Sequence, residues 1–103
     1  MMEEIYNHAS KEAPRECCGL VVQEGNNEKY IPLENISENE RDFKIDPKTF
    51  VMYQLISKIK YVVHSHYNQD CHPSEVDKKQ CREVGIPYLI VSYPDKEYTI
   101  LQP

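Results

Sequence analysis

The chain has 103 residues, enough for one hydrophobic core and little more. Its formal net charge is −5 and no cluster of lysines or arginines interrupts that balance, which argues against a nucleic-acid-binding role. No apolar run approaches the roughly 18 residues that cross a bilayer, and the acidic start Met1-Met2-Glu3-Glu4 lacks the pattern of a signal peptide.

Apolar residues at Met2, Ile5, Tyr6, Ala9 and Ala13 recur at helical spacing, and Pro14 ends that first helix. Cys17 to Gln23 reads as a central strand. Gly25-Asn26-Asn27 is a turn, and Lys29 to Leu33 returns as the second arm of a hairpin. Pro32 places that arm near a sheet edge, because proline has no N–H for a second ladder. Glu34 to Asp42 is polar and reads as a loop, with a short strand expected over Asp42 to Ile45. Asp46-Pro47 opens a second helix as N-cap and first helical residue. Met52, Leu55, Ile56 and Ile59 form its apolar stripe, expected to pack in the core. Tyr61-Val62-Val63 begins the next strand, which ends in His64-Ser65-His66. A third helix follows from Ser74 to Val84, stopped by Gly85. Pro87 to Tyr93 and Glu97 to Leu101 are the last two strands, joined through Pro94-Asp95-Lys96. The four cysteines include no Cys-x-x-Cys pair, so a four-cysteine zinc site is not expected, and without a signal peptide the thiols are expected to be reduced.

The chemistry concentrates between Val62 and Asp77. Alternate strand residues share a face, so His64 and His66 project together. Ser74 and Asp77 lie three apart at the start of a helix, on one helical face. Two imidazoles and one carboxylate are an ordinary ligand set for a hydrolytic zinc ion, which needs three protein ligands and one open position for water. Each half also has a plain structural reading. Two strand histidines are often just buried and hydrogen-bonded, and Ser-x-x-Asp after a proline is a capping box. Their conjunction at one strand-to-helix junction favours the metal.

His64-Ser65-His66, seven residues and then Ser74-x-x-Asp77 resembles the signature of the JAMM metallopeptidases, also called the MPN+ or Mov34 family. Pro14-Arg15-Glu16-Cys17-Cys18-Gly19-Leu20-Val21-Val22 resembles the region around that family's upstream glutamate, and Glu16 falls at the matching place. Tyr30-Ile31-Pro32, Asn35-Ile36, Phe43-Lys44-Ile45-Asp46-Pro47 and Pro87-Tyr88-Leu89-Ile90-Val91-Ser92 are similar to its small bacterial and phage branch. The resemblance spans roughly Ala13 to Tyr98. One departure is Tyr67, where this branch commonly has proline after His-Ser-His.

The resemblance implies an α+β fold, an α/β sandwich whose curved mixed sheet carries helices on its faces, with residues 1–103 as one domain. It implies one Zn2+ per chain held by His64, His66 and Asp77. Glu16 then handles the proton of the attacking water, and Ser74 donates to the oxyanion. The implied activity is hydrolysis of a peptide or isopeptide bond. The implied setting is the phage tail tip, in the bacterial cytoplasm during assembly or in the virion tail, with tail proteins or a C-terminal NlpC-type peptidase domain as partners. The alternative is a non-catalytic scaffold of the same fold. Cys18 is expected to be a buried neighbour of the metal, Ser65 a packing residue or a hydrogen-bonding support behind the ligands, and His72 an exposed loop histidine.

Overall fold

The computed structural model describes residues 1–103. The elements run α1 (Met2–Glu12), β1 (Cys18–Glu24), β2 (Asn27–Leu33), α2 (Pro47–Ile56), β3 (Lys58–Tyr67), α3 (Glu75–Val84), β4 (Tyr88–Tyr93) and β5 (Tyr98–Leu101). The five strands form one sheet in the order β2-β1-β3-β4-β5. β2 is therefore an edge strand, as Pro32 requires. All neighbouring pairs are antiparallel except β3 and β4, which are parallel. A parallel pair needs a crossover, and α3 supplies it. The result is the mixed sheet of an α+β fold.

Strand alternation sorts the core into two layers. Leu20, Val22, Val62 and Ile90 face one way, packed with Cys18, Phe43, Tyr88 and Cys81 of α3. Val21, Val63, Leu89 and Val91 face the other, against Ile5 of α1. The three inner strands are thus buried on both faces. Gly19 in β1 permits the close approach of β2, since a Cβ there would collide with the Ile31 carbonyl oxygen and come within 2.6 Å of the Tyr30 ring.

Two expectations fail. Met52, Leu55 and Ile56 do not enter the core; they are 45%, 81% and 69% exposed, with Val51 beside them at 50%. Phe50 and Tyr53 are the residues of α2 that pack inward. Apolar residues run from Phe50 to Ile56 with only Gln54 between them, so helical periodicity could not select the inner face. Ile59 is not helical at all, because Ser57 caps α2 in an extended conformation and β3 begins at Lys58. The second failure is the short strand over Asp42 to Ile45. Those residues are irregular, and the Asn35 side chain competes for their backbone: its Oδ1 accepts from the Lys44 N–H at 3.0 Å.

Candidate metal centre

The site lies where β3 ends and α3 begins, at the carboxyl end of the parallel pair. β3 places His64 opposite Cys18 on one side and Ile90 on the other, on the face that packs toward α3. His66 follows on the same face, opposite Ser92. Pro73 and Ser74 turn the chain into α3, whose first turn delivers Asp77. His64 Nε2 stands 3.0 Å from Asp77 Oδ1, and His66 Nε2 stands 3.1 Å from Asp77 Oδ2. All three side chains are buried, and one donor atom from each lies within 4.8 Å of the others. This cluster is compatible with metal binding.

The two sequence readings of Ser74-x-x-Asp77 prove compatible. Ser74 Oγ accepts from the Asp77 N–H at 3.0 Å, and Asp77 Oδ2 accepts from the Ser74 N–H at 2.9 Å, which closes a capping box. The cap uses Oδ2. Oδ1 is left aimed at His64.

The donor chemistry fits a divalent ion. His64 is fully buried, yet neither of its ring nitrogens makes a directed hydrogen bond, although Nε2 is so close to Asp77. A buried orphan nitrogen is costly unless something else satisfies it. His66 Nδ1 donates to the Asp70 carbonyl at 2.9 Å, which turns Nε2 toward Asp77 Oδ2 at 3.1 Å. Electrostatics agree. Burial alone would raise the Asp77 carboxyl, but the two imidazoles outweigh it and hold it well below the usual carboxylate range. Burial holds His64 below its ordinary value, against the pull of Asp77. These two states suit ligation, which needs a carboxylate and a neutral imidazole, whereas burial of His66 is outweighed by Asp77 and the Asp70 carbonyl, which raise it above its ordinary value in the metal-free protein.

Glu16 reaches the site from the segment before β1. It is buried and lines a cleft of about 340 Å³ with His66, Ser74 and Asp77. Burial pushes its carboxyl up to about 8; His66 pulls the other way, and Asp77 and Asp42 add to the rise. Ser65 accepts the Cys17 N–H at 2.8 Å and so ties the Glu16 segment to β3. Ser74 Oγ accepts within the cap, and its hydroxyl proton is uncommitted. His72 is exposed and lines the same cleft. Cys18 is buried, with its thiol toward the Leu33 and Glu34 carbonyls, and burial raises it to about 12. Burial lifts Cys17 to about 11, so neither thiol is a nucleophile at neutral pH.

Three supporting residues escaped assignment from the sequence. The Asn35 side chain donates to the carbonyls of Glu16 at 2.9 Å and Asp42 at 3.0 Å. Phe43 stacks on the His64 ring, with centroids 4.4 Å apart and planes 17° from parallel. Arg15 holds the carbonyls of Asn35 and Ser37 at 3.0 and 2.6 Å. All three fall in segments that carry the family resemblance, which was the available signal.

A mixed sheet that presents two histidines from a central strand and an aspartate from the following helix defines a JAB/MPN-type domain. The chain belongs to the prokaryotic homologs of the JAB domain, whose family model matches residues 1–101. It is 37% identical over 103 residues to the tail tip assembly protein K of Escherichia phage N15, covering 99% of this chain and 42% of that protein. The chain therefore spans about two fifths of that relative. A protein of Desulfitobacterium hafniense solved in solution superposes with a TM-score of 0.74 at 28% identity, covering 96% of this chain and 75% of that one. A JAB1/MPN domain protein from Archaeoglobus fulgidus superposes at 0.69 with 22% identity, covering 98% and 82%.

Proposed function

We infer that the chain is a zinc metallopeptidase domain that hydrolyses a peptide or isopeptide bond as part of phage tail-tip assembly. The observation that supports this most is the convergence of two buried imidazoles, His64 and His66, on the buried Asp77 carboxylate at 3.0 and 3.1 Å. In this reading residues 1–103 are one catalytic unit, and its partners are tail proteins or a following peptidase domain.

His64, His66 and Asp77 hold the zinc. The ion supplies Lewis acidity, which brings the pKa of water to about 7 and so gives hydroxide at neutral pH. Glu16 takes the proton of the attacking water. Its place is the cleft it lines with His66, Ser74 and Asp77, beside the proposed ligands. The water oxygen bonds to the carbonyl carbon, the C–N bond breaks, and Glu16 returns the proton to the departing nitrogen. Ser74 donates its free hydroxyl proton to the oxyanion of the tetrahedral intermediate.

The test is hydrolysis of varied peptide and isopeptide substrates by zinc-loaded wild type and Glu16→Gln. Cleavage by the wild type, abolished in a variant that keeps its zinc, supports the reading. Equal cleavage by both contradicts it. A second reading, a non-catalytic interaction module of the tail, draws on the exposed Val51, Met52, Leu55 and Ile56 face of α2. It predicts zinc binding or none, no hydrolysis by either form, and loss of complex formation on Leu55→Glu.

A further inference from the structure

We propose that Arg41 is the specificity-determining residue of the cleft and that it binds a carboxylate carried by the peptide substrate next to the scissile bond. The proposal rests on the peptidase reading for the kind of molecule that enters.

Two cavities meet at Glu16. One, of about 340 Å³, contains His66, Ser74 and Asp77. The other, of about 320 Å³, extends away from the histidines past Glu40, Tyr67 and Asn68. Glu16, Arg41 and Gln69 line both, so they mark the junction of a continuous groove. A chain cleaved beside Glu16 has its flanking residues in the outer half, under Arg41.

The loop orders the backbone at Arg41, whose side chain is exposed. Asn35 Oδ1 accepts from the Ser37 N–H at 3.0 Å, Ser37 Oγ from the Asn39 N–H at 3.1 Å, and Asn39 Oδ1 from the Arg41 N–H at 2.9 Å. Three successive side-chain turns thus lead to Arg41. Asn35, at their start, also holds the Glu16 carbonyl. The cation and the proposed proton carrier share one frame.

The guanidinium itself is free. Arg41 takes part in no ion pair, although Glu40 and Asp42 flank it in sequence. An arginine fork recognises a carboxylate with two parallel hydrogen bonds. The other groups of the outer half include the amides of Asn68 and Gln69, which can donate to the same anion. Arg41 is the one lysine or arginine among the residues that line the two cavities.

The experiment uses the wild-type protein supplied with zinc and three pools of acetylated, amidated Ala-Gly pentapeptides. Each pool carries one Glu, one Gln or one Lys at every position in turn. Binding is followed by NMR at the Arg41 Nε–H and the amides of residues 39–42, and cleavage by mass spectrometry. The Glu pool is expected to shift the Arg41 Nε–H and to bind at least about tenfold more tightly than the Gln pool, as for a charge-assisted hydrogen bond. Arg41→Ala removes that ratio, and Arg41→Glu transfers the preference to the Lys pool. A Glu-to-Gln ratio unchanged in Arg41→Ala, or no response at Arg41 to any pool, overturns the proposal. Cleavage without Glu preference sinks this assignment alone. Selective binding without cleavage sinks the peptidase reading and leaves the anion site standing.

Discussion

The Asn35 side chain donates to the Glu16 carbonyl at 2.9 Å across a separation of 19 residues in the chain. The same amide group donates to the Asp42 carbonyl, and its oxygen accepts from Ser37 and Lys44. One half-buried amide therefore fixes both the segment that carries Glu16 and the loop that carries Phe43 and Arg41.

Asn35→Ala deletes four hydrogen bonds at once and leaves their backbone partners unpaired. At roughly 0.5–1.5 kcal/mol each it is expected to cost about 2–6 kcal/mol, read from urea denaturation midpoints. Zinc content is expected to survive, because none of the three ligands belongs to this network. A variant that loses zinc as readily as a ligand mutant contradicts that separation.

Phe43→Ala uncovers His64. Truncating a buried phenylalanine costs about 3–5 kcal/mol, and here it also opens water to an imidazole that is now completely enclosed. Weaker zinc retention against a chelator, together with the lower midpoint, is the expected result. Phe43→Leu should restore most of both.

Ser74→Ala separates the cap from the chemistry. Loss of the Oγ acceptor is expected to cost about 1 kcal/mol of stability. Loss of the oxyanion donor is expected to lower kcat by about 10²–10³. Ser74→Asp should regain stability as a cap without regaining the rate, since a carboxylate cannot donate.

The Glu16 carboxyl predicts a pH dependence for the metal-free protein. Its folded value of about 8 lies above an unfolded value of about 4.3. Between these the folded state holds the proton more tightly than the unfolded chain. The contribution is therefore fully present below about pH 4.3 and is lost as pH rises through about 8. Its steepest slope is about 1.4 kcal/mol per pH unit. Glu16→Gln should remove this slope, so the stability difference between variant and wild type should grow from pH 5 to pH 8.5. Parallel stability curves over that window would contradict it.

Much of this arrangement is legible in the residues. Period-two alternation placed His64 and His66 on one face, and the spacing of Ser74 and Asp77 placed both in the first turn of α3, because each pattern is local. Glu16 could not be chosen from the many carboxylates by spacing, since what brings it near the site is β1 pairing with β3, a contact between distant segments. The support from Asn35 and Phe43 depends on a loop without periodicity. On α2 the pattern misled, because a helix apolar on nearly every side does not reveal which side is buried. The exposure of Leu55 and Ile56 is a property of the tertiary structure alone.

The most direct test of the central claim is zinc per chain, measured in protein purified without added metal, for wild type and Asp77→Asn. The asparagine keeps an oxygen to accept the Ser74 N–H, so the cap survives while the ligand charge is lost. About one equivalent in wild type, with far less in the folded variant, is the predicted result. No zinc in wild type, and none taken up from micromolar solution, would contradict the account and return His64 and His66 to a purely structural role.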